Sequence, residues 1–511
     1  MIKWSVLSKS ILVLLVLGSA LSISLCAQHD DSSETVEVWL TTGDEVNKLQ
    51  QQNDIRFTSG EGNNTTKILI NENITNQTME GFGAAMTDSS AWLLNELKTN
   101  NSTKYREVMN ALFSKTEGIG ISYIRLPMGA SDFARYNYTY DYMPSGQIDP
   151  KLTKFSIDHD KDYIIPVLND SKEINSQIKF MASPWSAPAW MKLPNTLNGG
   201  SLNPEYYEAY ANYFVKFLQA YQDEEITISL VTVQNEPQNP TPKYPSMEMD
   251  WKNQSNFIIN HLVPAFKNAT RNDPNFSIKI LVWDHNWDTP SYPNNVLNDT
   301  VNDTDANVSV IGSAWHGYNG QPVNQSDVYK NHPDKEIYFT EITGHYNLSE
   351  NQTADSCFAG NLIWGIKNVA IGATRNYSKT VLYWNLALDP NGGPRLIEDD
   401  VRMRGVVTID LPNETFNKTA EYYVIGHLSK FVERNASRIE STTLNNPTTL
   451  NNGELYHVAF KNQDHSIVLI VLNNDDSNPK SFDVQWHDQH FSYELQKQSV
   501  VTFKWNQTET N

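Results

Sequence analysis

From about residue 80 to 390 the chain alternates short runs rich in β-branched and aromatic residues with longer segments whose apolar residues recur at helical spacing. This pattern suits parallel strands joined by crossover helices, because a parallel pair cannot be closed by a tight turn. Eight runs qualify as strands: EGFGAAMTD (80–88), SYIRLPMG (122–129), KFMASPW (179–185), ISLVTVQNE (228–236), KILVWDH (279–285), IGSAWHGY (311–318), EIYFTE (336–341) and TVLYWNLAL (380–388). Eight such units make a (β/α)8 TIM barrel of the α/β class. Between the third and fourth runs, Tyr207, Tyr210, Phe214, Phe217 and Tyr221 form an aromatic stripe at helical spacing. The stripe reads as an outer helix packing on the barrel.

The flanks lack long helical segments. Val36 to Ile74 and Glu454 to Trp505 carry short alternating runs, such as SIVLIVLN (466–473) and SVVTFKW (499–505), separated by Asn, Asp, Ser and Pro. The expected organisation is a leader over 1–27, an N-terminal part of a β-domain over 28–79, a catalytic barrel over 80–420, and the C-terminal part of the same β-sandwich over 421–511. The leader rests on Lys3 and Lys9 followed by an apolar core from Ile11 to Leu25 and polar sequence from Gln28, the layout of a cleaved secretory signal. That core is too short to span a bilayer comfortably, so no transmembrane segment is expected.

Roughly twenty Asn-x-Ser/Thr sequons, among them Asn64, Asn73, Asn137, Asn268, Asn302, Asn347 and Asn435, point to a glycosylated protein of the secretory pathway, secreted or lysosomal. With the leader removed, Cys357 stands alone and no intramolecular disulfide is possible. A formal net charge of -20 argues against nucleic-acid partners, which require a basic surface.

The run VTVQNEP (231–237) delivers Asn235 and Glu236 at the end of the fourth candidate strand, and EIYFTE delivers Glu341 at the end of the seventh. Two carboxylates at the C-terminal ends of barrel strands suit cleavage of a sugar acetal. Glu236 would act as acid/base, its pKa raised by burial and by the second carboxylate, and Glu341 as the nucleophile of a double displacement. Asn235 would hydrogen-bond the sugar 2-hydroxyl. Both Asn235 and Glu236 reach one sugar only if the strand ends in a bulge or turn, since alternate residues face opposite ways. The run WDHNWD (283–288) offers His285, Asp284 and Asp288 as an incomplete metal-ligand set, so no metal or other cofactor is expected.

The runs EGFGAAMTDSS (80–90), YIRLPMGASDF (123–133), SPWSAPAWMK (183–192), VTVQNEP, FTEITG (339–344), WNLALDPNGGP (384–394) and YYVIGHLSKFV (422–432) together resemble glycoside hydrolase family 30, the acid β-glucosylceramidase group and its fungal-type relatives. The resemblance implies that Asp132 and Trp384 hydrogen-bond the outer hydroxyls of the terminal sugar and that Trp185 lines the same pocket. It also implies that Arg125 orients a carboxylate or Asn235, that His316 and Tyr318 sit near the nucleophile, and that Tyr244 belongs to the substrate loop after the fourth strand. The expected activity is a retaining β-glycosidase acting on a β-glucoside, glycolipid or glucan. Glucosylceramide is the first expectation, with a lipid-presenting activator as a partner. A β-1,6-glucanase is the alternative, which FTEITG and MRGVVTID (403–410) favour, and a catalytically inactive carbohydrate-binding protein is the reading from a different class.

Overall fold

The computed structural model describes residues 34–353, 356–398, 401–444 and 455–506. The expected leader lies outside the described residues. Eight parallel strands close into a barrel: β1 (Gly81–Ala85), β2 (Tyr123–Met128), β3 (Lys179–Pro184), β4 (Ile228–Thr232), β5 (Lys279–Asn286), β6 (Val310–His316), β7 (Glu336–Glu341) and β8 (Ser378–Asn385). Each falls within or overlaps one of the eight sequence runs, and β8 pairs with β1 to complete the circle. Glycine marks two crowded points. A Cβ on Gly83 would come within 2.0 Å of the Tyr123 carbonyl oxygen, and one on Gly312 within 1.9 Å of the Glu336 carbonyl oxygen.

The barrel interior is layered by the two-residue period of its strands. Tyr123, Met181, Leu230, Leu281, Ala314, Tyr338 and Leu382, one from each of β2 to β8, pack together as an apolar plug. Two residues further along the same strands stand Arg125, Ser183, Thr232, His316, Thr340 and Trp384. The plug supports from below a layer that is mostly polar. Strand β5 breaks the period: its register against β6 shifts between Trp283 and His285, and Trp283 and Asp284 have φ of 76° and 67°. This bulge brings Asp284, three residues beyond Leu281, into the polar layer.

Outside the barrel, helix Tyr207–Asp223 buries Tyr207, Tyr210, Phe214, Phe217 and Tyr221 in the core shared by strands and outer helices, so the aromatic stripe is packing. The β-domain is an eleven-stranded sheet in which Thr35–Thr42 and Lys67–Thr78 from the N-terminal flank join six strands between Ser437 and Trp505. Strand Ile467–Asn473 is buried along its whole length. Ile467, Leu469 and Val471 enter the sandwich core, while Val468, Ile470 and Leu472 join the core that continues into the barrel. The boundary differs from the expected 421. Residues Ala420–Ser429 form a helix buried on every side, whose Tyr422, Val424, Ile425 and Leu428 belong to the barrel's outer core, and the first sandwich strand after it begins at Ser437. Its His427 lies between Thr41 and Thr502, 2.8 Å from each hydroxyl, and ties this helix to both flanks of the chain. Among the described residues no helix is long and apolar enough to cross a membrane.

Candidate active site

At the C-terminal mouth of the barrel, strand β4 stops at Thr232 and its chain continues upward with each neighbour claiming one peptide. The Asn235 N–H donates to the Pro184 carbonyl at the end of β3, and the Glu236 N–H to the Asp284 carbonyl of β5, both at 2.9 Å. Glu236 has φ 45°, in the left-handed region that costs a side-chain-bearing residue roughly 1–3 kcal/mol and clusters at functional sites. That turn lets consecutive side chains face the same cleft, as a simple strand could not. The cleft, of about 400 Å³, is lined by Asp132, Trp185, Asn235, Glu236, Tyr244, Tyr318, Glu341 and Trp384 of the sequence reading, and also by Gln238, Asn239, His285, Asn286 and Met403.

Arg125 organises the floor. Its Nη1 donates to Glu341 Oε2 at 2.5 Å, and its Nη2 to Asn235 Oδ1 at 2.7 Å and to Asp284 Oδ2 at 2.9 Å. Its guanidinium lies 4.9 Å from the Trp185 ring and 5.5 Å from that of Trp384, and the two indoles stack at 4.7 Å. The arginine therefore fixes the nucleophile candidate, the amide and the aromatic wall at once. Because Asn235 spends its carbonyl on Arg125, its NH2 is the end left to donate into the cleft. Tyr318 donates to the other oxygen of Glu341 at 2.9 Å, so both oxygens of that carboxylate are held.

Asp284 is the hub beneath. Its Oδ2 also accepts from Ser183 and Thr232, each at 2.6 Å, and its Oδ1 from Thr340 at 2.8 Å and from His316 Nε2 at 3.1 Å. Six strands, β2 to β7, thus send a side chain to or from one buried carboxylate. Burial alone would raise its pKa, but Arg125 and His316 outweigh burial and hold it well below the ordinary aspartate value.

His316 spans two carboxylates, its Nδ1 facing Glu236 Oε1 at 3.2 Å while Nε2 faces Asp284. Burial works against the imidazolium, but Glu341, Asp284 and Glu236 outweigh it and raise the pKa to about 9. This corrects the expectation that Glu236 carries its own raised pKa. Burial does push Glu236 up, yet His316, His285 and the Asn239 amide at 2.7 Å reverse the balance and hold it at about 2. The proton of the pair rests on the imidazole side of the hydrogen bond. Glu341 shifts the other way, above its ordinary value, because burial and the neighbouring Glu236 charge exceed the pull of His316 and Arg125. Burial, followed by the Glu341 and Glu236 charges, raises Asp132 to about 8, against the hydrogen bond it accepts from Trp384.

Atoms of Glu236, His316 and Glu341 lie within 4.8 Å of one another, the only such His/Cys/Asp/Glu set among the described residues. A cation there would meet Arg125 already bound to Glu341. The residues of WDHNWD diverge: Asp284 points to the floor, His285 lines the cleft, and exposed Asp288 accepts from Asn319 at 2.6 Å.

Two stretches of the sequence match known domains, the glycosyl hydrolase family 30 TIM-barrel domain over residues 79–432 and the family 30 beta sandwich domain over 435–503. The chain belongs to glycoside hydrolase family 30. It is 32% identical over 434 residues to an endo-1,6-beta-D-glucanase of Neurospora crassa, covering 82% of this chain and 84% of that protein. The lysosomal acid glucosylceramidase of Mus musculus is 30% identical over 426 residues, covering 78% and 75% respectively. Among solved structures, an endo-beta1,6-glucanase superposes with a TM-score of 0.79 at 30% identity, covering 93% of this chain and 99% of its own.

Within this family 30 hydrolase, every residue proposed from sequence for catalysis or substrate binding lies in or directly beneath one cleft. Sequence reasoning passed over Ser183, Thr232 and Thr340, and saw Asp284 and His285 only as part of a metal set. The available signal was a polar residue two positions past an apolar inward one, which marks KFMASP, ISLVT and EIYFTE alike.

Proposed function

We propose that this protein is a retaining β-glycosidase that cleaves β-1,6-linked glucan by double displacement. The observation that carries the mechanism is the closeness of the two glutamates, one carboxylate oxygen of each lying within 4.8 Å of the other. Retaining enzymes hold their carboxyls about 5–5.5 Å apart, whereas inverting ones leave about 6.5–9.5 Å for a water. Glu341, held by Arg125 and Tyr318, attacks the anomeric carbon. Glu236 gives the leaving oxygen the proton it shares with His316, and later takes a proton back from water. Asn235 donates to the 2-hydroxyl, and Asp132 with Trp384 takes the outer hydroxyls. A purely sugar-binding protein would have no use for a clamped nucleophile beside a proton-bearing pair.

For the substrate, the rim argues for a second sugar. Beyond the carboxylates stand Gln238, Asn239, Asn286, Tyr244 and Tyr318, amides and phenols suited to hydroxyl groups rather than alkyl chains. The likeness to β-1,6-glucanases in sequence and in structure supports the same reading over the glucosylceramide expectation. The test is kcat/KM on a linear β-1,6-glucan against a short-chain glucosylceramide. A hundredfold preference for the glucan, about 2.7 kcal/mol of transition-state binding, is expected. Preference for the lipid would overturn the substrate, and initial release of the α-anomer would overturn retention of a β-glycoside.

We also infer passage through the secretory pathway. Asn73, Asn137, Asn268, Asn302 and Asn435 are exposed, which supports glycan attachment there, while Asn64 is half-buried with its amide donating to Asp483 at 2.6 Å. The side chain of Asn347 lies outside those described.

A further inference from the structure

A buried imidazole normally donates through one nitrogen and accepts through the other. His316 does so. His285, on the wall of the same cleft and only 9% exposed, does neither: its Nδ1 is buried with no hydrogen-bond partner, and its Nε2 stops 4.0 Å from Glu236 Oε1, beyond hydrogen-bond reach. The β5 bulge accounts for its position. With Asp284 drawn to the floor, the next residue is turned to the cleft wall, where Trp283 packs against the imidazole at 5.0 Å. The gap between Nε2 and Oε1 is too long for direct contact and short enough for one oxygen atom to bond both at about 2.8 Å.

We propose that His285 Nε2 and Glu236 Oε1 together hold the water that releases the glycosyl-enzyme, making His285 a further catalytic residue of the second half-reaction. The proposal rests on the double-displacement reading above. In this step the water oxygen bonds to the anomeric carbon, and the bond from that carbon to the Glu341 oxygen breaks with its electron pair returning to the carboxylate. One water proton passes to Glu236 Oε1. The other stays on the new anomeric hydroxyl, where Nε2 accepts its hydrogen bond. Burial keeps His285 uncharged, below its ordinary pKa, so a lone pair is available for this. His316 cannot serve, since both its nitrogens are committed. Removing the imidazole should therefore slow water's attack more than it slows formation of the intermediate.

The two halves separate with 2-deoxy-2-fluoro-β-glucosyl fluoride, which labels a retaining nucleophile and then reactivates slowly in water. Wild-type protein should be labelled at Glu341, read by peptide mass spectrometry, and H285F should label at a comparable rate but reactivate at least tenfold more slowly. H285Q, which keeps a hydrogen-bonding group, should recover part of that loss, and H285A replaces H285F if the larger ring disturbs the wall. Reactivation of H285F or H285A at the wild-type rate overturns the proposal, as does an equal slowing of labelling and reactivation. Failure of the wild type to label at Glu341 would instead overturn the double-displacement reading beneath it.

Discussion

Asp284 shows most plainly how one side chain sets the behaviour of several others. It neutralises Arg125, anchors His316 and accepts from three hydroxyls, all out of contact with water. Changing it to Asn keeps the shape and removes the charge, which leaves a buried guanidinium short of a partner. Breaking a buried pair in this way costs about 3–5 kcal/mol. D284N should therefore lose about that much stability in urea denaturation, and kcat/KM should fall by about a hundredfold or more as Arg125, the common support of Glu341 and Asn235, loses its anchor. The pH profile provides a separate readout. His316 titrates near 9 because of its carboxylate neighbours, so with one of them neutral its pKa drops and the alkaline limb of the activity profile moves to lower pH. For the proposed nucleophile, E341Q should reduce kcat by about a thousandfold or more, and adding azide to E341A should yield the inverted α-glycosyl azide. Wild-type turnover in E341Q would sink the assigned role.

At the level of elements, the catalytic end of the barrel depends on where strands stop obeying their period. The chain leaving β4 turns through a left-handed Glu236 and β5 bulges at Trp283 and Asp284, so neighbouring side chains that should face opposite ways converge. The regular parts of the barrel tolerate no such liberty. Strands β6 and β7 approach so closely at Gly312 that a methyl group would overlap the Glu336 carbonyl. G312A should destabilise the protein by about 2–4 kcal/mol, measured by urea denaturation, because backbone rather than a flexible side chain must move. The eight strands were legible from runs of apolar and β-branched residues bounded by turn signals, and the aromatic stripe of helix Tyr207–Asp223 from its spacing. The end of the barrel was harder to read. Helix Ala420–Ser429 is buried on all sides and so lacks the amphipathic period that marks a surface helix.

Across the whole molecule, two buried histidines link stability to pH. His427 joins the last barrel helix to strands from both ends of the chain, and His457 lies between Ser441 and Thr443 within the sheet. Burial depresses both to about 3, with Arg375 adding to the effect at His457. A depressed imidazole binds fewer protons folded than unfolded between its two pKa values, so stability rises with pH across that interval. The contribution is complete above about 6.5 and is lost as pH falls toward 3, at up to a few kcal/mol for each residue. H427Q, whose amide can still meet Thr41 and Thr502, should therefore show a shallower fall of Tm with acidification than the wild type. An unchanged slope would exclude His427 as a source of acid sensitivity.

Sequence alone determined the barrel, the β-domain built from both flanks, and the placing of Glu236 and Glu341 where barrel strands end, because strand periodicity and the position of a carboxylate along the chain are local properties. Tertiary structure decided what those groups are when assembled. The inversion of the expected pKa order, the hub at Asp284 and the position of His285 all depend on residues from six strands meeting across the barrel, and on backbone angles at Glu236, Trp283 and Asp284 that no residue identity announces. Electrostatic balance in a buried site is set by distances between groups far apart in sequence, and only the closed barrel fixes those distances.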